Sequence, residues 1–173
     1  TMVNSFLEFA SLSRIALNLE FSRYNMQHWL TEYCHNIEPL MQQHQLRLSL
    51  LMTEPVLYSQ INPHWLERAL NNIVGNACRF AASQIQISIS ASQQHKLLIS
   101  ISDDGPGIAA KDSQNILLPF VKLDNPSHNN APHFGLGLAI SAEIMKWHHG
   151  RIVVDSDPIL AGARFSLYLN SCN

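Results

Sequence analysis

The sequence predicts a two-layer α/β sandwich of the α+β kind, a mixed sheet with helices on one face. Two observations carry that expectation. "QIQISIS" at 84–90 and "LLISISD" at 97–103 alternate apolar and polar residues with period two, as paired half-buried strands do. Further stretches carry apolar residues at helical spacing, so strands and helices are partly grouped along the chain. The 173 residues suffice for one domain with a real core.

In chain order, residues 2–18 show Val3, Phe6, Leu7, Ala10 and Leu17 on one helical face. The chain opens inside this expected helix, as a fragment of something longer would. A second amphipathic helix runs from 26 to about 43 with Trp29, Leu30, Tyr33, Ile37 and Leu40 on its apolar side, and Pro39 predicts a kink or an early end. "LRLSLLM" at 46–52 reads as a strand and "VLYS" at 56–59 as another short one. The strongest helix signal follows: Asn62 suits an N-cap and Pro63 the first helical position. Its apolar stripe is Leu66, Leu70, Ile73, Ala77 and Phe80, with a polar stripe of Arg68, Asn72, Asn76 and Arg79 beside it. The two alternating strands meet near residues 93–95, and residues 112–118 suggest a short helix. The Asn- and Pro-rich stretch 122–134 reads as a loop. "GLGLAISAEIMKWHH" is a helix closed by Gly150, and "RIVVDS" and "ARFSLYL" finish as strands.

A formal net charge of −2 provides no broad basic field for nucleic acid. Cys34, Cys78 and Cys172 have no metal-ligand spacing, and their odd number disfavours a closed disulfide framework, so they read as reduced thiols. No stretch is apolar over the ~18–20 residues a spanning helix needs.

Four features offer chemistry. Asn72 and Asn76, at i and i+4, project from one helix face. They read either as a solvated face or as amide ligands, an amide oxygen being suited to Mg²⁺ and Arg79, on the same side, to a phosphate. "DDGPGI" after a strand is either a capped tight turn or a ligand turn. In the second case an Asp at the strand end accepts from an exocyclic amine such as that of adenine, the glycines allow close approach, and Ile108 and Phe120 flank a flat ring. "GLGLAI" is either a core-helix start or an anion site at a helix N-terminus. Lys122 is either solvated or directed at a terminal phosphate.

In order, "ERALNNIVGNACRF", "DDGPGI", "LPFVKLD" and "FGLGLAI" resemble the N, G1, F and G2 boxes of the ATP-binding catalytic domain of bacterial sensor histidine kinases, of the EnvZ and RstB type. "GARFSLYL" resembles that domain's closing strand, and "FLEFASLSR" the end of the second helix of the dimerisation and phosphoacceptor domain. The resemblance implies a Bergerat (GHKL) fold, with residues 1–20 a stub of the preceding domain, 21–173 the catalytic domain and an ATP lid near 121–134. It implies Mg²⁺ on Asn76, phosphate positioning by Asn72, Arg79 and Lys122, and adenine recognition by Asp104 with Gly105 and Gly107. Phe80, Ile108 and Phe120 would build the pocket, and Gly135, Leu136, Gly137 and Leu138 would offer backbone amides to the phosphates. It further implies ATP and Mg²⁺ as cofactors, and a histidine on the protein's own dimerisation domain as acceptor. A cognate response regulator, a homodimeric full-length protein (the fragment itself monomeric) and a cytoplasmic position below an inner membrane complete the expectation.

The sequence also departs from the family pattern. None of the nine histidines resembles the phosphoacceptor box. "FEPF" reads "LLPF", with Leu117 and Leu118 in place of Phe and Glu, and Lys122 stands where Arg is usual. His133 and Phe134 replace the first Gly of the G2 box and the residue after it, which predicts a stiffer lid hinge and weaker nucleotide binding. Two alternatives stay open: a non-catalytic, nucleotide-gated interaction module of the same fold, and a hydrolytic ATPase, the latter disfavoured by Asn72 where those enzymes carry an acid.

Overall fold

The computed structural model describes residues 18–53, 55–93, 96–121 and 135–172. The expected helix at 2–18 and the lid expected near 121–134, with Lys122, His133 and Phe134, lie outside or almost wholly outside them.

The first described strand, β1 (Ser22–Asn25), has no counterpart in the periodicity reading. It leads into α1 (Met26–Gln43), whose N-cap Asn25 accepts a hydrogen bond from the His28 amide. The helix runs through Pro39 rather than ending there. Its buried stripe of Trp29, Leu30, Tyr33, Ile37 and Met41 continues past the proline. That burial outweighs the roughly 3 kcal/mol a helix-interior proline costs. After β2 (Arg47–Met52) comes β3 (Tyr58–Ile61), two residues later than expected, because it pairs antiparallel with β1 and not with the main sheet. The α2 helix (Pro63–Phe80) starts as the sequence predicts, with Asn62 Oδ1 accepting from the Trp65 amide at 3.1 Å and Pro63 in the first turn. Strands β4 (Gln84–Ser92) and β5 (Lys96–Asp103) follow. The helix expected at 112–118 is reduced to a 3₁₀ turn, Asn115–Leu117. The α3 helix (Gly137–Trp147), β6 (Arg151–Ser156) and β7 (Ala163–Asn170) complete the fold.

The main sheet has five strands in the order β2-β4-β5-β7-β6, with β2 parallel to β4 and every other pair antiparallel. Register places Ile87, Ile101 and Phe165 side by side, and Ile89, Ile99 and Leu167 beside them. All six are buried in the core. The alternate positions Ser88, Ser100 and Ser166 align on the opposite face. The α1 helix lies against β2, α2 against β5 and α3 against β6, while α2 and α3 pack along each other. The mixed two-layer sandwich is therefore present. A second small cluster, Ala69, Leu136, Ile140 and Ile144 with Trp65 and Trp147, locks α2 to α3.

Candidate functional site

Strand alternation decides the chemistry of the turn after β5. Leu97, Ile99 and Ile101 face the core, so Asp103 does too and is 3% exposed. Its Oδ1 accepts from the Gly105 amide at 2.9 Å and from the Ala163 amide at 3.3 Å. Its Oδ2 takes no hydrogen bond among the described residues. Burial raises the carboxyl above its ordinary pKa, the two amides pull it back, and Asp104 and Asp157 add to the rise.

Asp104 faces the other way. Its Oδ1 accepts from the amides of Ala82, Ser83 and Gln84 at 2.9, 3.0 and 3.1 Å, and its Oδ2 accepts from the Ser83 hydroxyl at 2.6 Å. Partial burial alone would raise this carboxyl, but those four donors hold it at about 2. The side chain is a brace joining the end of α2 to the start of β4. This corrects the expectation that Asp104 is the adenine acceptor, because both its oxygens are engaged within the chain. The alternation in "LLISISD" already carried the signal for Asp103, and the sequence reading missed it.

Glycines let the backbone pack closely around this turn. A Cβ on Gly105 would lie 2.3 Å from the Phe80 carbonyl oxygen, and one on Gly162 would lie 2.1 Å from that of Asp103. Gly107 adopts φ +75°, a left-handed conformation that glycine reaches without strain. Ile108 is half-buried and packs on the core. The Arg79 guanidinium lies over the Phe80 ring at 5.0 Å, and its partial burial lowers its pKa.

One turn apart on α2, the two asparagines do different things. The Asn72 amide nitrogen donates to the Gly137 carbonyl at 2.9 Å. The Ser141 hydroxyl contacts the Ala69 and Gly137 carbonyls at 3.0 and 3.1 Å. Asn72 is therefore first a clamp on the start of α3. Asn76 is half-buried, and its amide makes no hydrogen bond among the described residues. An open cleft of about 250 Å³ beside Asn72 is lined by His64, Glu67, Arg68, Asn71 and Asn72.

At the glycine-rich stretch, α3 begins at Gly137, two residues later than expected, because Gly135 takes φ +66°. Leu136, the N-cap residue, provides no side-chain cap, so the first amides of α3 have no capping side chain. The side chains of Leu136 and Leu138 are buried, and only their backbones can face a ligand. Phe120 is not a pocket wall in this structure: it has φ +65° and is 53% exposed. Its amide donates to the Gly135 carbonyl at 2.9 Å, which ties the chain at 120 to the chain at 135.

A family model described as "Histidine kinase-, DNA gyrase B-, and HSP90-like ATPase" matches residues 61–172. The chain belongs to this ATPase family. Among its curated relatives is the sensor protein RstB of Escherichia coli K12, 32% identical over 165 residues, covering 95% of this chain and 37% of the relative. The sensor histidine kinase CpxA of the same strain is 34% identical over 108 residues, covering 62% of this chain and 23% of that protein. This chain thus spans well under half of either. The solved structure of full-length ShkA in complex with AMPPNP superposes with a TM-score of 0.84 at 24% identity, over 99% of this chain and 35% of that one. It has the same fold. No helix among the described residues is long and apolar enough to cross a membrane.

Proposed function

We propose that this ATPase-family chain is the ATP-binding catalytic domain of a sensor histidine kinase, which holds Mg-ATP and delivers the γ-phosphoryl group to a histidine on a separate dimerisation domain. The observation that carries the reading is Asp103, a buried carboxylate whose Oδ2 takes no hydrogen bond among the described residues. Such an acceptor suits the amine edge of a purine, the space before it being the adenine niche of this proposal, and the open amide of Asn76 on the adjacent helix suits a hydrated Mg²⁺. The residues present therefore fit the nucleotide. ATP supplies the activated phosphoryl group, and Mg²⁺ neutralises its charge.

The protein's own part is positioning. Asp103 accepts from the adenine amine in the role first expected of Asp104, with Gly105 and Gly107 admitting the ring beside Ile108 and Phe80. Asn76 holds the metal, and Asn72 fixes the start of α3 so that the amides at 135–138 face the phosphates. Arg79 and Lys122 add positive charge, and Phe120 closes the entrance when the lid does. Alignment of the γ-phosphoryl group for in-line attack by an external imidazole then needs no nucleophile from this chain. The dimerisation domain, a cognate response regulator, a homodimeric receptor and a position on the cytoplasmic side of an inner membrane belong to the same proposal.

The test is two-part. Calorimetry with AMPPNP and Mg²⁺ should show binding that Asp103→Ala and Asn76→Ala weaken and Asp104→Ala does not. Mixing the chain with its acceptor domain and Mg-ATP should then yield phosphohistidine. Binding without transfer would favour the nucleotide-gated interaction module, and no binding would sink both.

A further inference from the structure

His148 ends α3, is 3% exposed, and belongs to none of the motifs assigned above. Its Nδ1 lies 2.8 Å from the Ile144 carbonyl oxygen. A carbonyl only accepts, so Nδ1 carries the proton. In the neutral ring Nε2 is then a bare acceptor, and the Asn62 amide donates to it at 3.1 Å. Asn62 is the N-cap of α2: its Oδ1 accepts from the Trp65 amide, and its Nδ2 donates to the Glu20 carbonyl at 2.9 Å. The Phe21 ring meets the imidazole edge-on, with 5.1 Å between centroids. One imidazole therefore joins three parts of the chain: the segment entering at 18–21, the first turn of the Asn-bearing helix, and the end of the helix whose start Asn72 clamps.

We infer that His148 is a positioning residue for nucleotide binding, which as a neutral imidazole seats the N-terminus of α2 and couples it to the incoming segment, and whose protonation releases that seat. The inference rests on the nucleotide site proposed above. A proton on Nε2 would set N–H against N–H at Asn62 and remove the acceptor that amide uses among the described residues. The surroundings do not compensate for such a charge. On its own helix Lys146 is paired with Glu143, and His149 acts on His148 to disfavour a positive charge. From α2, His64 lies against the Trp65 ring, and from β6, Arg151 lies over Tyr168. Glu20 reaches Asn62 through its carbonyl rather than its carboxylate. Burial, the largest effect, lowers the His148 pKa from its ordinary 6.5. The unfolded chain therefore binds the proton more readily than the folded one. The joint is therefore intact at pH 6.5 and above, and is lost only as the pH falls through the lowered pKa of the folded state.

The experiment compares the whole chain as wild type, His148→Gln and His148→Leu at pH 8 and at the lower pH where NMR shows the wild-type His148 ring protonated, measuring affinity for a fluorescent ATP analogue with Mg²⁺ and amide exchange at Trp65 and Leu66. Gln places a carbonyl oxygen near the Nε2 position and does not titrate, while Leu has no acceptor at any pH. The expected result is equal affinity of wild type and Gln at pH 8, and a wild type about fivefold weaker than Gln once the ring is protonated, the loss of one hydrogen bond. If it folds, Leu should be weak at both. Parallel pH profiles for wild type and Gln, or a Leu variant that binds like wild type at pH 8, would overturn the inference. If the wild type binds no nucleotide at pH 8, the functional proposal fails, and amide exchange still judges the joint. Faster exchange in wild type than in Gln once the His148 ring is protonated supports it, and equal exchange refutes it.

Discussion

Asp103→Asn separates the affinity of the niche from its stability. The amide oxygen of Asn can keep the Oδ1 role, accepting from Gly105 and Ala163. Its amide nitrogen then replaces the open Oδ2 and turns an acceptor into a donor. A purine amine entering the niche meets another N–H group instead of a charged oxygen. Hydrogen bonds to charged groups contribute about 1.5–3 kcal/mol, so binding should weaken by roughly tenfold to 150-fold. Stability should move the other way. Burial raises the Asp103 pKa above its ordinary 3.8, so the folded state holds the proton more tightly than the unfolded chain does. Stability contributed by this group is complete below 3.8 and declines as the pH rises through the folded pKa. The ionised carboxylate is therefore the form the fold disfavours, and Asn should match or exceed the wild type in urea denaturation. Calorimetry with AMPPNP and Mg²⁺ reads the first effect, and the urea midpoint at pH 7 reads the second. Binding within about twofold of wild type would refute the assignment of Asp103 as the purine acceptor, and a collapsed midpoint would refute the electrostatic account.

The neighbouring carboxylate should give the opposite pattern: Asp104→Ala removes the brace at 82–84 and should cost about 1 kcal/mol in urea denaturation while leaving AMPPNP affinity unchanged. Because Asp104 is held at about 2, its contribution is present above 3.8 and is lost as the pH falls through 2, so the two proteins should converge in acid denaturation curves. Asn72→Ala breaks the bond to Gly137, should cost about 0.5–1.5 kcal/mol, and should weaken AMPPNP binding because the start of α3 is released. Gly162→Ala pushes a Cβ onto the Asp103 carbonyl at 2.1 Å and should destabilise the chain by about 1–3 kcal/mol, seen as a lower thermal midpoint.

Local patterning settled a good deal without coordinates. The Asn62–Pro63 start fixed α2, and the isoleucine alternation fixed β4 and β5, since caps and periodicity are properties of adjacent residues. The four motifs in order likewise carried the resemblance to the family whose model matches residues 61–172. Pairing between distant segments was not legible. Only the β1–β3 ladder makes "SRYN" a strand and shifts β3 by two residues, and only a continuous buried stripe carries α1 through Pro39. The site followed the same division. Which of two adjacent aspartates faces the niche was written in the alternation of "LLISISD", whereas the complete engagement of Asp104 by residues twenty positions earlier needed the fold. Asn72 as a clamp on Gly137 and His148 as the seat of Asn62 were likewise invisible in sequence. Each joins elements separated by tens of residues, and a hydrogen bond between them exists only once the core has brought their backbones together.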